Sequence, residues 1–288
     1  MGHPAPRPRG RPVNRPRTRP GRRLLPLLVP LLLLAAACTG QPDDAAPDRD
    51  VVPVPGERWR PGPVTSWQWQ LSGKLDTSVE APVYDVDGFD TSREQVAALH
   101  KAGRRVICYL STGAWEEFRP DAAEFPAELL GRGNGWDGER WLDIRRTAEL
   151  EPLMAARLDM CRDKGFDAVE PDNMDGYANT TGFPLTAEDQ LRYNRLIARL
   201  ARDRGLAVGL KNDLDQVPQL VGDFDFAVNE QCAQYGECEL LAPFTDAGKA
   251  VFHVEYELPA SRFCDRTRKL GFASMQKKYD LGAWRKPC

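Results

Sequence analysis

Six short apolar runs in this chain end in the same way. Y-D-V-D-G-F-D (84–90), C-Y-L-S-T-G (108–113), V-E-P-D-N-M-D-G-Y (169–177), G-L-K-N-D (209–213), V-N-E-Q-C (228–232) and H-V-E-Y-E (253–257) finish on carboxylates, amides, hydroxyls or a lysine. Trp67, Trp69, Tyr109, Trp115, Trp141, Tyr177 and Tyr256 lie close to these ends in sequence. Carboxyl groups mixed with Trp and Tyr suit carbohydrate, because sugar C–H faces stack on aromatic rings while hydroxyls need acceptors and amides. Cleaving a glycosidic bond then needs two carboxyl groups on opposite sides of it. A single Asp after a strand is ordinarily a helix cap or turn residue. Six exits in succession are a different matter, since caps do not require E-P-D-N-M-D or N-E-Q.

The elements that must hold these ends are short β-rich runs alternating with longer amphipathic ones. Strands are expected at 66–71, 82–86, 105–110, 168–170, 207–211, 226–229, 250–255 and 272–275. Helices are expected at 92–102, capped by Ser92 and stopped by Gly103, at 150–164, stopped by Gly165, and at 186–204, opened by T-A-E-D and stopped by Gly205. Strand–helix alternation implies a parallel sheet. Eight units in about 230 residues match the size of a (β/α)8 TIM barrel, whose site gathers at the C-terminal ends of the strands. The open doubly wound sheet is the alternative, but no G-x-G-x-x-G follows any of the strands.

The chain has 288 residues with a formal net charge of −3. Eight Arg and no acid fall within residues 1–37, so the remainder is more acidic than the total suggests. That balance disfavours a nucleic-acid partner. Residues 24–37 form an apolar run behind this basic segment, too short for the roughly twenty residues of a bilayer span, and 1–37 reads as a signal peptide. The run Leu34-Ala35-Ala36-Ala37-Cys38 resembles a bacterial lipobox, with Ala35 where Leu is preferred. Cys38 is thus the expected lipidation site of an exported, surface-anchored lipoprotein, the alternative being cleavage after Ala37 and secretion. Residues 38–58, rich in Pro, Asp, Ala and Val, read as a flexible tether, and 59–288 as the folded domain. Apart from the lipid anchor, no membrane contact is expected, and the domain is expected to be a monomer.

Six cysteines remain in that domain. An even count in an exported chain favours disulfides. Cys232–Cys238 and Cys264–Cys288 join local neighbours, leaving Cys108–Cys161. With no Cys-x-x-Cys and only His100 and His253 in the domain, no zinc site is expected, nor any cofactor.

Taken in chain order, V-Y-D-V-D-G-F-D (83–90), V-I-C-Y-L-S-T-G-A-W-E (106–116), G-W-D-G-E-R-W-L-D-I-R (135–145), G-F-D-A-V-E-P-D-N-M-D (165–175), G-L-K-N-D (209–213), F-A-V-N-E-Q-C (226–232) and K-A-V-F-H-V-E-Y (249–256) resemble glycoside hydrolase family 114. These are the endo-α-1,4-polygalactosaminidase-like TIM barrels, and the resemblance covers about residues 64–280. It implies hydrolysis of α-1,4-linked galactosamine polymers with retention, by carboxylates after the fourth and sixth strands. Those positions are Asp172, the expected nucleophile, and Glu230, the expected general acid/base. Asp87 and Asp143 are candidates for the protonated amine of the sugar, or else cap turns. Lys211, beside Asn212, either bonds a sugar hydroxyl or pairs with Glu170. Tyr109 and Ser111 are expected to line the pocket, and Glu255 and Tyr256 to form rim contacts. His253 is expected in the core. A carbohydrate-binding lipoprotein without turnover, and a hydrolase of another α-galactosyl or amino-sugar polymer, are the competing readings.

Overall fold

The computed structural model describes residues 58–63 and 65–288. The signal peptide, Cys38 and nearly all of the tether lie outside the described residues. The chain runs through β1 (Trp67–Gln70), β2 (Val83–Asp87) and β3 (Arg105–Ser111), then an inserted group of β4 (Ala114–Glu116), β5 (Leu130–Gly133) and β6 (Glu139–Leu142). It continues with β7 (Ala168–Asp172), β8 (Ala207–Lys211), β9 (Phe226–Glu230), β10 (Val251–Glu255), β11 (Ala273–Gln276) and β12 (Lys286–Pro287). The eight expected strands are β1–β3 and β7–β11; each pairs in parallel with its successor. The fold is a (β/α)8 TIM barrel.

The helices form where local chemistry dictates. Ser92 and Gln95 cap the start of α1 (Arg93–Lys101) reciprocally, side chain to backbone, at 3.3 and 2.8 Å. Thr186 and Asp189 do the same for α3 (Ala187–Arg202). The longest helix, α2 (Thr147–Lys164), ends at Gly165, whose φ of 89° is left-handed. The later crossovers carry only short turns, α4 (Val217–Leu220), α5 (Cys232–Tyr235), α6 (Ala242–Asp246) and α7 (Cys264–Lys269).

Two cores follow from the period-2 pleat. Tyr84, Val86, Cys108, Leu110, Val169, Val208 and Leu210 face the helices. Trp67, Trp69, Val83, Ile107, Ala168, Ala207, Phe226, Val228, Phe252 and Val254 fill the barrel. Gly209 shares the interior face, and a Cβ there would sit 2.3 Å from the Phe226 ring, so the aromatic requires the glycine. Between β1 and β11 a side chain spans the seam: Trp67 Nε1 donates to the Ala273 carbonyl at 3.0 Å. The C-terminal segment covers it, with β12 antiparallel on β11 and Arg285 donating to the Trp67 carbonyl at 2.6 Å.

All three expected disulfides are present. Cys108–Cys161 ties β3 to α2, Cys232–Cys238 closes the turn after β9, and Cys264–Cys288 ties α7 to the last residue. Among the described residues, one group has potential metal-ligand spacing, Cys232, Cys238 and His253, and its two thiols are joined to each other. Also among the described residues, no helix is long and apolar enough to cross a membrane.

Candidate active site

The interior pleat face determines which side chains reach the barrel mouth. Continuing it upward from Val83 gives Asp85 and Asp87; from Ile107, Tyr109; from Ala168, Glu170 and Asp172. From Ala207 it gives Lys211, from Val228 Glu230, and from Val254 Tyr256. Above them opens a cleft of about 940 Å³.

Lys211 is at the centre. Its buried ammonium lies 2.8 Å from Glu170 Oε1, 3.1 Å from Asp172 Oδ1 and 3.5 Å from Glu230 Oε2. It also sits 4.7 Å from the centroid of the Trp69 ring. Burial opposes its charge, but the three carboxylates outweigh burial and raise its pKa well above the ordinary lysine value. Asp172 accepts a second bond from the Tyr109 hydroxyl at 2.8 Å. Burial pushes the Asp172 carboxyl up; the Lys211 charge, the Asn173 backbone N–H and the Tyr109 hydroxyl together bring it below the usual range, so it stays ionised. Glu230 is held by the Tyr256 hydroxyl at 2.6 Å and the Asn212 amide at 3.2 Å. The Asn212 carbonyl in turn accepts from the Glu230 backbone N–H at 2.9 Å.

Asp172 and Glu230 share one ammonium. Their nearest oxygens therefore cannot be farther apart than the two Lys211 distances laid end to end. The two carboxyl groups thus lie on the same side of the cleft floor, on either side of one cation. The backbone turns sharply right after each of the three groups: Asn173, Asn212 and Gln231 have φ of 63°, 51° and 64°. Left-handed conformations in non-glycine residues cost energy and gather at functional sites. Gly113, at the exit of β3, allows the turn after Asp172 to close down, since a Cβ there would lie 1.8 Å from the Asn173 carbonyl oxygen.

Of the residues expected on substrate, Asp87, Tyr109, Lys211, Asn212 and Tyr256 line the cleft with Asp172 and Glu230. Asp87 is already engaged there, gripped bidentately by Arg119 at 3.0 and 2.8 Å. Ser111, Asp143 and Glu255 do not line it. Ser111 Oγ is buried against the Ala114 backbone and the Asn173 amide. Asp143 is buried and paired with Arg145 at 2.7 Å. Glu255 falls on the outward pleat face of β10, where it accepts from the Ala233 N–H at 2.8 Å and meets His253 Nε2 at 2.9 Å. His253 is fully buried in the core, as expected.

Cleft residues not anticipated come largely from the insert, whose sheet has the order β4–β6–β5. Glu116, Arg119, Asn134, Trp136 and Glu139 form that wall; Gln231, Gln234 and Tyr279 stand elsewhere on the rim. The available signal was G-N-G-W-D-G-E (133–139), turn chemistry between two short runs. Asp85 and Glu170, fully buried below Lys211, complete the network.

Comparison with known proteins gives the family. The family model for glycoside-hydrolase family GH114 matches residues 49–288. A crystal structure of Aspergillus fumigatus Ega3 in complex with galactosamine is 40% identical, with a TM-score of 0.77, over 81% of this chain and 98% of that one. The glycoside hydrolase domain of PelA from Pseudomonas aeruginosa shares the fold at 16% identity and a TM-score of 0.62, over 78% of this chain and 98% of its own. No curated protein matches. With its family match extending across the whole barrel, this chain is a glycoside hydrolase and belongs to family GH114.

Proposed function

We propose that the protein is an exported hydrolase cleaving α-1,4-linked galactosamine-containing polysaccharide with retention. The observation that carries this reading is one buried ammonium contacting both Asp172 and Glu230 at the mouth of a barrel 40% identical to a galactosamine-bound relative. Asp172, kept ionised by Lys211, attacks the anomeric carbon as the bond to the leaving oxygen breaks. Glu230, which must take up a proton before this step, gives it to that oxygen. Water then enters; Glu230 takes its proton, the oxygen bonds to the anomeric carbon, and the bond to Asp172 breaks. Tyr109 and Lys211 fix the nucleophile's two oxygens, and Tyr256 with Asn212 orients Glu230.

The domain should be incubated with deacetylated and acetylated galactosamine polymers and with neutral α-galactans, scoring new reducing ends and the anomer first released. Cleavage of galactosamine polymer with retained anomer supports the reading. Cleavage of neutral galactan alone, or an inverted product, overturns it. Export through residues 1–37 and anchoring through Cys38 belong to the same proposal, with three disulfides in their support. Cys38→Ala should release the protein from detergent-extracted membranes or block its processing; unmodified mature protein beginning at Cys38 or Thr39 in the medium would contradict the lipid.

A further inference from the structure

Most carboxyl groups of the inner site have a cation. Asp87 and Glu116 share Arg119, Glu116 also lies 3.7 Å from Arg157, and Glu170 and Asp172 share Lys211. Glu139 differs. It lies at the start of β6 and lines the cleft, yet has no ion-pair partner among the described residues.

What it does have is a prepared setting. Asn134 Nδ2 donates to Glu139 Oε2 at 2.7 Å, and Asn134 Oδ1 accepts from the Trp136 N–H at 3.1 Å. Gly135 and Gly138, with φ of 106° and 79°, let the chain turn tightly between them. A Cβ on Gly138 would also meet Glu117 Cγ at 2.8 Å. On the same turn Trp136 is 48% exposed, although it lines the cleft. The Glu139 N–H donates to the Trp136 carbonyl at 3.2 Å, so the open indole and the half-buried carboxyl belong to one turn, and a flat ring face of this kind is suited to stacking. The insert adjoins the reacting centre, because β4 follows β3 after only two residues and β3 carries the Tyr109 that touches Asp172.

We infer that Glu139, with Asn134 and Trp136 beside it, forms a subsite for the ammonium group of an amino-sugar residue next to the bond being cut. This rests on the amino-sugar reading above and adds which residues discriminate the amine. An ammonium entering here supplies the counter-charge that Glu139 lacks, while the sugar's C–H face covers the indole. The groups facing Glu139 agree. Burial pushes its carboxyl up to about 7; the Asn134 bond opposes this, the Glu116 and Asp172 charges add to it, and Arg119, engaged by Asp87 and Glu116, offsets it only weakly. Without ligand the group is therefore part-protonated near neutral pH, and a bound cation favours its ionised form.

The test is Glu139→Gln, which keeps an oxygen to accept from Asn134. It is assayed on galactosamine oligomers and, in parallel, on their N-acetylated counterparts. The expected result is a loss of about tenfold or more in kcat/KM on the amine substrate, mostly through KM, with little change on the acetylated one. The rise in wild-type kcat/KM through about pH 7 on the amine substrate should vanish in the variant. Trp136→Ala should raise KM on both substrates alike. Equal large losses on both substrates for Glu139→Gln would make Glu139 a proton donor or a structural residue, and no loss on either would make it a bystander; each overturns the subsite. Should the wild-type enzyme leave galactosamine oligomers uncut, the substrate reading itself falls and the subsite with it. The two failures are thereby distinguished.

Discussion

Asp85 and Glu170 face each other as two buried carboxyl groups with a single ammonium, that of Lys211, to compensate them. Both are fully buried below the cleft. Neither Asp85 oxygen, nor Glu170 Oε2, has a hydrogen-bond partner among the described residues. Burial, and then the Glu170 charge, raises Asp85 well above the carboxylate range; burial raises Glu170 as well, but there the Lys211 charge opposes it. Asp85 thus holds the proton, and Glu170 keeps the charge that anchors Lys211.

Asp85→Asn should accordingly be nearly silent in catalysis, because a neutral amide, like the protonated carboxyl, places no second charge beside Glu170. Turnover should change by less than about 1 kcal/mol in barrier. Stability should reveal the proton. The native pKa of Asp85 lies above the unfolded value of about 3.9, so its contribution is full below that value and fades as pH rises toward the native pKa. The melting temperature of Asp85→Asn relative to wild type should therefore climb from pH 4 to pH 8. A constant difference would mean that Asp85 is ionised in the fold. Asp85→Ala, which takes away the polar group facing the buried Glu170 carboxyl, should cost about 1–3 kcal/mol.

Asp172→Asn and Glu230→Gln should each lower turnover on polymer by about 10²–10⁴-fold or more, with circular dichroism and polymer binding largely unchanged. An activated substrate with a good leaving group needs less acid assistance. It should partly restore Glu230→Gln and leave Asp172→Asn inactive. Restoration of both, or a double variant that still cleaves, would remove these residues from the chemistry.

The disulfides can be checked without a substrate. Non-reducing peptide mapping should find Cys108–Cys161, Cys232–Cys238 and Cys264–Cys288 and no free thiol in the domain. Cys264 and Cys288 are 24 residues apart. Replacing both with Ala should cost about 3 kcal/mol in the loop-closure picture, read as a lower denaturation midpoint with an unchanged pH profile.

The barrel was legible because its strands and caps obey local rules. Ala168, Glu170 and Asp172 alternate with outward Val169, so an apolar residue below dictates a functional one above. The insert was not legible for the opposite reason. Its strands span three or four residues, too few for a period to show, and Arg140 and Glu139 interrupt their apolar character. The cleft wall around Glu139 and the Arg119 grip on Asp87 were hidden with it. Glu255 shows a second limit: its strand was read correctly, but the pleat aims it at the Ala233 backbone and away from the cleft.

Lys211 offers the sharpest separation of electrostatics from scaffolding. Lys211→Met keeps a long apolar chain against Trp69 and removes the ammonium from between Glu170, Asp172 and Glu230. Breaking one side of a buried pair leaves Glu170 uncompensated, at a cost of about 3–5 kcal/mol. Asp172 also loses the charge that lowers its pKa, so the acid limb of kcat/KM should move to higher pH, and turnover should fall by about 10²–10³-fold. The double variant Lys211→Met/Glu170→Gln removes the stranded buried anion. It should recover much of the stability, because a neutral pair replaces a broken ionic one. The acid limb should stay displaced, since nothing has been returned to Asp172. If the double variant regains the wild-type pH profile along with its stability, Lys211 serves the fold alone. If Lys211→Met leaves the acid limb where it was, another group ionises Asp172, and the Tyr109 hydroxyl and Asn173 backbone N–H are the ones in contact with it.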